Sequence, residues 1–318
     1  MVCGNAKCTS TARLDGKTAI ITGSNTGIGK YTVQDFYTRG ARVIMACRSV
    51  EKAEEAAKDI EKACEGKENL GEIVVLPLDL SSLESVREFA RKILETEERV
   101  DLLINNAGVM MCPESRTVDG FETQFGTNHL GHFLLTLLLM PKIIKSTPAR
   151  IVTVSSIGHT LLSGPLALDD LNWEKRKYSP TQAYYQSKLA NILFTKELAR
   201  KLEEANIQGV TTYSLHPGAV ATDLSRHMDE TFCKGVGWMV NNVVQLFVKT
   251  PEQGAQTTIH CAVDEKVANE TGLYYAECKV KDSSSKSKNM EDAEKLWDLS
   301  WKIVELDENY NPFVTATA

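Results

Sequence analysis

No stretch of this chain approaches the run of ~18 apolar residues that crosses a membrane as a helix. The segment from Met1 to Arg13 also lacks the apolar core of a signal peptide. Positive charge is not in excess: lysine and arginine number 36 against 42 aspartates and glutamates, a net charge of −6. That balance argues against non-specific nucleic-acid binding and against a polybasic membrane grip. The eight cysteines follow no dense disulfide framework, so they read as reduced thiols in a cytoplasmic or cytosol-facing protein. Cys3 and Cys8 are too few and too isolated for a metal site; a reversible lipid on either is the functional alternative. One apolar stretch stands out, Val236–Met239–Val240 continued by Val243, Val244 and Leu246–Val248, but Asn241, Asn242 and Gln245 interrupt it. It reads as a helix packed on the body of the protein. The alternative is a greasy lid over a lipid-like substrate, in peripheral contact with a membrane.

What is present is an ordinary globular composition, 42% apolar and 25% charged over 318 residues, enough for a large core. Short, nearly continuous apolar runs alternate with helical patterns. Strands are expected at Thr18–Thr22, Arg42–Ala46, Ile73–Leu76, Leu102–Asn105, Ile151–Val154, Thr211–Leu215 and Gly272–Tyr275. Helices are expected at Ile28–Thr38, Val50–Ala63, Leu83–Glu95, Phe121–Ile144, Ala183–Glu204 and Glu252–Cys261. Strands apolar on both faces belong to parallel sheets, and this alternation predicts an α/β fold: a doubly wound parallel sheet of about seven strands with helices on both faces. A single domain is expected, with residues 1–15 as a tail. Ser163–Pro180 reads as an irregular insertion and Lys279–Asn289 as an exposed polar loop. Ala293, Leu296, Trp297, Trp301 and Val304 then predict a C-terminal helix docking on the core.

Tyr184 and Lys188 lie four residues apart at the start of a helical run marked by Leu189, Ile192, Leu193 and Leu198. Four residues along a helix bring both side chains to one face. A free phenol titrates near ~10 and is a poor acid or base at neutral pH. A neighbouring ammonium favours the phenolate and lowers that value. The pair is thus a candidate proton donor and acceptor for a carbonyl/alcohol reaction. The spacing alone is not selective. Tyr185 lies three residues from Lys188, and Tyr275 and Lys279 repeat the four-residue step. Tyr275, however, sits in a strand-like run, where four residues extend roughly 13 Å and keep the two groups apart. An exposed phenol beside a solvated lysine is the plain alternative for any such pair.

Thr22-Gly23-Ser24-Asn25-Thr26-Gly27-Ile28-Gly29 follows the first strand and opens the first helix. Glycines there let backbone approach a pyrophosphate, and a helix N-terminus favours anionic oxygens. Strand, turn and helix in that order point to a bound dinucleotide. At the end of the second strand, where a carboxylate would hold a ribose 2′-hydroxyl, the chain has Ala46-Cys47-Arg48. An arginine suits a 2′-phosphate, so the expected cofactor is NADP(H). A solvated Arg48 at the start of the next helix is the alternative. His129 and His132 invite a metal reading, but no third ligand is evident nearby, and none is expected. Met110, Met111 and Cys112 read as pocket or core lining.

Together these residues resemble the short-chain dehydrogenase/reductase family. The match runs from about Lys17 to Tyr275 and includes Thr22–Gly29, Asp79, Asn105-Asn106-Ala107-Gly108, Asn128, Ser155-Ser156, Tyr184 with Lys188, and Pro217-Gly218 with Thr222. Within the family, Ala46-Cys47-Arg48, Asn128–Phe133, Tyr185–Asn191 and Leu215–Gly218 look like the retinol dehydrogenases that prefer NADP(H). Those commonly begin with a hydrophobic anchor, a stretch not found in this sequence.

The resemblance implies a Rossmann-type fold and roles for named residues. Asn128, Ser156, Tyr184 and Lys188 would be catalytic. Tyr184 would protonate the carbonyl oxygen, Ser156 orient it, Lys188 hold the nicotinamide ribose, and Asn128 lead through water toward Lys188. Adjacent residues at a strand end face opposite sides, so only one of Ser155 and Ser156 can reach substrate; the family pattern favours Ser156. Gly23, Asn25, Thr26, Gly27, Ile28, Arg48, Asp79, Leu80, Asn106, Ala107, Gly108, Pro217, Gly218 and Thr222 would bind the cofactor along with Tyr184 and Lys188. Asp79 would accept from the adenine amine, and Thr222 would contact the carboxamide or diphosphate. The implied substrate is a small apolar alcohol or carbonyl, retinol/retinal first, with other lipid aldehydes, isoprenoids and steroids as alternatives. A homodimer would fit the family. An NADPH sensor or scaffold on the same fold is the reading from a different class.

Overall fold

The structure is a computed structural model and describes residues 6–220 and 248–314. Its centre is a sheet of eight strands in the order β3-β2-β1-β4-β5-β6-β7-β8. These are β1 Thr18–Thr22, β2 Arg42–Cys47, β3 Glu72–Pro77, β4 Leu102–Asn105, β5 Ala149–Val154, β6 Val210–Leu215, β7 Leu273–Ala276 and β8 Lys279–Val280. The first seven pair in parallel, and β8 turns back antiparallel along β7. Strand order reverses between β1 and β4, so the carboxyl ends of the strands open a crevice there.

The strands alternate between two cores. Ile20, Ile44 and Ala46 face one apolar layer, while Ala19, Ile21, Val43 and Met45 face the other. Helices α1 (Gly27–Thr38), α2 (Val50–Ala63) and α6 (Pro251–Val263) cover the second layer. Helices α3 (Leu83–Thr96), α4 (Gly131–Lys145), α5 (Pro180–Glu204) and α7 (Met290–Ile303) cover the first. Their starts carry local signals. Ser49, Ser82 and Ser179 cap α2, α3 and α5, and Thr250 with Gln253 forms a capping box at α6. The C-terminal helix docks through Trp297, which stacks on Phe194 at 5.9 Å and meets Phe133 edge-on at 5.1 Å.

Three expectations need adjustment. Where about seven strands were expected, the described residues form eight; the addition, β8, is a two-residue Lys-Val pair with no hydrophobic pattern to reveal it. The segment from Lys279 to Asn289 is not simply an exposed loop: it starts with β8, and its Ser283 and Ser287 are buried. The single helix expected over Phe121–Ile144 is interrupted. A helical turn, Thr123–Phe125, passes into a π-turn, Gly126–Leu130, before α4 begins. The extra residue in such a turn reorients the side chains that follow, and Asn128 sits inside it. Thr222 and most of the apolar stretch around residues 236–248 lie outside the described residues, as does Cys3.

Candidate active site

The carboxyl ends of β1, β4, β5 and β6 bring the expected residues together. Tyr184 and Lys188, one turn apart on α5, are both buried, and the Ser156 side chain lies near enough to the Tyr184 phenol to favour its phenolate. The Lys188 ammonium donates to the Val154 carbonyl at 3.1 Å and lies 5.8 Å from the Tyr184 ring centre. The two serines at the end of β5 part company. Ser155 donates to the Lys188 main-chain carbonyl at 2.6 Å, tying β5 to α5. Ser156 faces Tyr184, and its Oγ accepts the Gly158 N–H at 3.0 Å.

The electrostatics differ from the sequence expectation. Burial pushes the Tyr184 phenol up to about 12, partly opposed by the Ser156 side chain. Burial also pulls the Lys188 ammonium down to about 8. The expected lowering of the phenol by its lysine is overturned here, because desolvation of the phenolate outweighs the help of an ammonium committed to Val154. A phenol held in this way is protonated at neutral pH and ready to give its proton to a developing oxyanion.

Asn128 is locked by three bonds. Its Oδ1 accepts the Val109 N–H at 2.8 Å, and its Nδ2 donates to the Val109 carbonyl and to Ser187 Oγ, each at 2.9 Å. Gly108 lies between Asn128 and Lys188: a Cβ there would sit 3.2 Å from Asn128 Oδ1 and 3.4 Å from Lys188 Nζ. Only glycine leaves that space open.

At the cofactor end, Gly23 (φ +60°) and Gly27 (φ +55°) take left-handed conformations that favour glycine. A Cβ on Gly23 would meet Ala107 Cβ at 2.7 Å, and one on Gly29 would meet Asn106 Nδ2 at 2.7 Å. Asn106 Nδ2 donates to the Thr22 carbonyl at 2.8 Å and the Gly23 carbonyl at 3.2 Å. The α1 N-terminus has no acidic residue in its first turn, leaving its positive end unopposed. Asn25, Thr26 and Ile28 are half-buried in this turn, and Ile28 packs toward the core. Arg48 projects exposed from the end of β2 and pairs with no carboxylate among the described residues. This cradle fits a dinucleotide with an anionic diphosphate and an extra phosphate near Arg48.

The remaining positions are less direct. Asp79 Oδ1 accepts both the N–H and the Oγ–H of Ser81. The Leu80 side chain is core, pressed against Gly131. Gly218, after Pro217, has φ +93° and backs onto buried Lys249, which is ion-paired with Glu277 at 2.5 Å.

Sequence reasoning missed several partners. Thr22 Oγ accepts the N–H groups of Asn106 (3.0 Å) and Ala107 (2.9 Å). His132 Nδ1 lies 3.0 Å from the Asn128 carbonyl, so it carries the proton, and Nε2 accepts from the Thr22 hydroxyl at 2.8 Å. His129 Nε2 bonds Ser300 Oγ at 2.9 Å. Both rings are fully buried, which drives them down to about 4 and about 3. Nothing in their spacing announced these roles. Cys8, judged isolated in sequence, lies against His260 and Asp264, one ligand-type atom from each within 4.8 Å of the others. Asp264 is already committed there, to His260 Nδ1 at 2.9 Å and to the Lys266 N–H at 3.0 Å. Three donors also fall short of the four that close a structural zinc site. Tyr275, the rival phenol, is buried in β7 and bonds Glu270.

Residues 17–163 match the family described as short chain dehydrogenase. The chain is 48% identical over 299 residues to retinol dehydrogenase 11 of Homo sapiens, covering 94% of this chain and 89% of that protein. It is also 48% identical over 300 residues to retinol dehydrogenase 13 of Homo sapiens, covering 94% and 88%. Among solved structures, an uncharacterised protein from Mycobacterium paratuberculosis superposes with a TM-score of 0.73 at 35% identity, over 94% of this chain and 97% of that one. The chain therefore belongs to the short-chain dehydrogenase/reductase family, in its retinol-dehydrogenase-like subgroup. Its class is oxidoreductase, and among the described residues no helix is long and apolar enough to cross a membrane.

Proposed function

We propose that this protein is an NADP(H)-dependent oxidoreductase that interconverts retinol and retinal. The observation that carries the reading is the buried Tyr184 phenol, beside Ser156 and one helical turn from Lys188 on the same face of α5. The dinucleotide, when bound, supplies or accepts the hydride. It would be held by the turn Gly23, Asn25, Thr26, Gly27 and Ile28, by Asp79 and Leu80, by Asn106, Ala107 and Gly108, and by Pro217, Gly218 and Thr222. Arg48 would take the 2′-phosphate, a charge-assisted contact worth roughly 1.5–3 kcal/mol.

In the reductive direction Tyr184 gives its phenolic proton to the substrate oxygen as negative charge develops on it. Ser156 hydrogen-bonds the same oxygen and fixes its approach. Lys188 stabilises the phenolate left behind and would hold the nicotinamide ribose. Asn128, whose amide is held by Val109 and Ser187, keeps an acceptor site free on Oδ1 and would lead through water toward Lys188. Ile157, which follows Ser156, and Leu161, at the other end of the same short turn, are 52% and 58% exposed. They offer an apolar rim suited to an isoprenoid chain. The same reading sets the protein in the cytoplasm, in peripheral contact with a membrane and as a homodimer.

The test is a screen of NADPH oxidation over all-trans-retinal, farnesal, medium-chain aldehydes and ketosteroids, with products resolved by chromatography. Retinal turnover with the highest kcat/KM is expected. A preference for one of the other carbonyls reassigns the substrate. No turnover of any, by protein that still binds NADPH, overturns the enzyme reading.

A further inference from the structure

Ser156 is followed by a short 3-10 turn, Ile157–Leu161, that holds a histidine with no solvent exposure, His159. Its Nδ1 lies 2.7 Å from the Ser156 carbonyl oxygen. A carbonyl only accepts, so Nδ1 carries the proton and donates. On the far side of the ring, Nε2 accepts the backbone N–H of Ser284 at 3.1 Å. The two partners fix one neutral tautomer, and burial disfavours the charged form. The ring is also seated edge-on against Tyr274 at 5.1 Å, and the Tyr274 hydroxyl bonds His216 Nδ1 at 2.7 Å. Lys286 closes the same contact by donating to the Leu162 carbonyl.

We propose that His159 is a positioning residue for Ser156, a two-ended brace between the Ser156 carbonyl and the Ser284 backbone. The inference rests on the reading of Ser156 as the hydroxyl that orients substrate. The Gly158 N–H holds Oγ directly, the His159 backbone N–H donates to the Ser156 carbonyl at 3.1 Å, and two side-chain bonds then fix the peptides on either side. Ser155 pins the peptide before it to α5 through the Lys188 carbonyl, and His159 pins the peptide after it. Releasing the second leaves the Ser156 carbonyl held by the His159 backbone N–H alone, so the peptide plane tilts and carries Oγ with it. A misplacement of about 1 Å at a reacting group costs on the order of 100-fold in rate.

The experiment is a double-mutant cycle. His159→Phe and His159→Asn are measured alone and in a Ser156→Ala background, with kcat and KM for retinal, NADPH affinity by fluorescence, and thermal melting for each. Alone, His159→Phe is expected to lower kcat by about 10- to 100-fold with NADPH affinity unchanged. His159→Asn, whose amide N–H falls near the place of Nδ1–H, is expected to recover most of that loss. In the Ser156→Ala background, His159→Phe is expected to cost nothing further. Additive losses, or equal losses from Asn and Phe, would overturn the brace. Full turnover by Ser156→Ala alone would instead overturn the role of Ser156 on which the inference rests. Should the phenylalanine variant not fold, the same cycle with His159→Gln decides the matter. Glutamine keeps an acceptor for Ser284 but withdraws the donor to Ser156, so kcat should fall as for Phe, again with no added loss beside Ser156→Ala.

Discussion

The Thr22 hydroxyl donates to His132 Nε2 at 2.8 Å, joining the last residue of β1 to the helix that follows the π-turn of Asn128. The same oxygen accepts the Asn106 and Ala107 amides. One threonine thus fixes the glycine turn, the loop after β4 and the turn that carries Asn128. Thr22→Val keeps the shape and leaves the half-buried Ala107 N–H and the His132 Nε2 without their partner, while the Asn106 N–H keeps the Ile104 carbonyl at 3.0 Å. At ~1–3 kcal/mol for each unmet group, a stability loss of several kcal/mol is expected, together with weaker NADPH binding. Thr22→Ser keeps the hydroxyl and should lose much less. Thermal melting and fluorescence titration check both; equal behaviour of Val and Ser would refute the hub role.

Removing one oxygen atom at position 184 separates chemistry from binding. Tyr184→Phe is expected to abolish turnover while NADPH affinity stays within about twofold. Tyr185, whose ring covers Gly158, should tolerate Phe with near-normal rates. Steady-state kinetics on the two variants decide between the phenols.

Arg48 is the residue proposed to set the choice between dinucleotides. Arg48→Ala is expected to raise KM for NADPH roughly 10- to 100-fold, from the loss of a contact worth about 1.5–3 kcal/mol. KM for NADH should stay nearly constant. Unchanged selectivity between the two would show that the phosphate is read elsewhere.

Two of the buried histidines, His132 and His129, make stability fall in acid. Each is held neutral, with the folded value of His132 at about 4 and that of His129 at about 3, against an ordinary 6.5. Above pH 6.5 both states are neutral and the stability is fully present. Below it the unfolded chain binds protons that the folded one refuses, so stability is lost as pH falls toward 4. For His132 the shift corresponds to roughly 3 kcal/mol. Melting temperature should therefore fall steadily between pH 6.5 and 4. His129→Phe, which keeps a ring among Phe125, Phe133 and Phe194, should flatten the curve. A wild-type melting temperature that is constant over this range would contradict the assignment.

The parallel strands were legible because they are buried on both faces and so are apolar almost throughout, as in Thr18–Thr22 and Leu102–Asn105. The glycine turn was legible because left-handed backbone and close approach demand glycine at Gly23 and Gly27. Strand β8 was not, since two residues carry no period. Nor was the break at Gly126–Leu130, because a π-turn differs from an α-helix by a single residue and leaves the apolar pattern intact.

The sequence by itself settled the seven parallel strands and most of the helices, and placed a phenol and an ammonium on one face of a helix beside a dinucleotide turn. These are local matters of period, backbone freedom and side-chain chemistry. Only the tertiary structure decided that Ser156 and not Ser155 meets the phenol, that burial raises Tyr184 and lowers Lys188, and that Ser284 reaches His159 across 125 positions of chain. Burial and hydrogen-bond partnership depend on what the rest of the fold brings alongside, and no spacing along the chain encodes that.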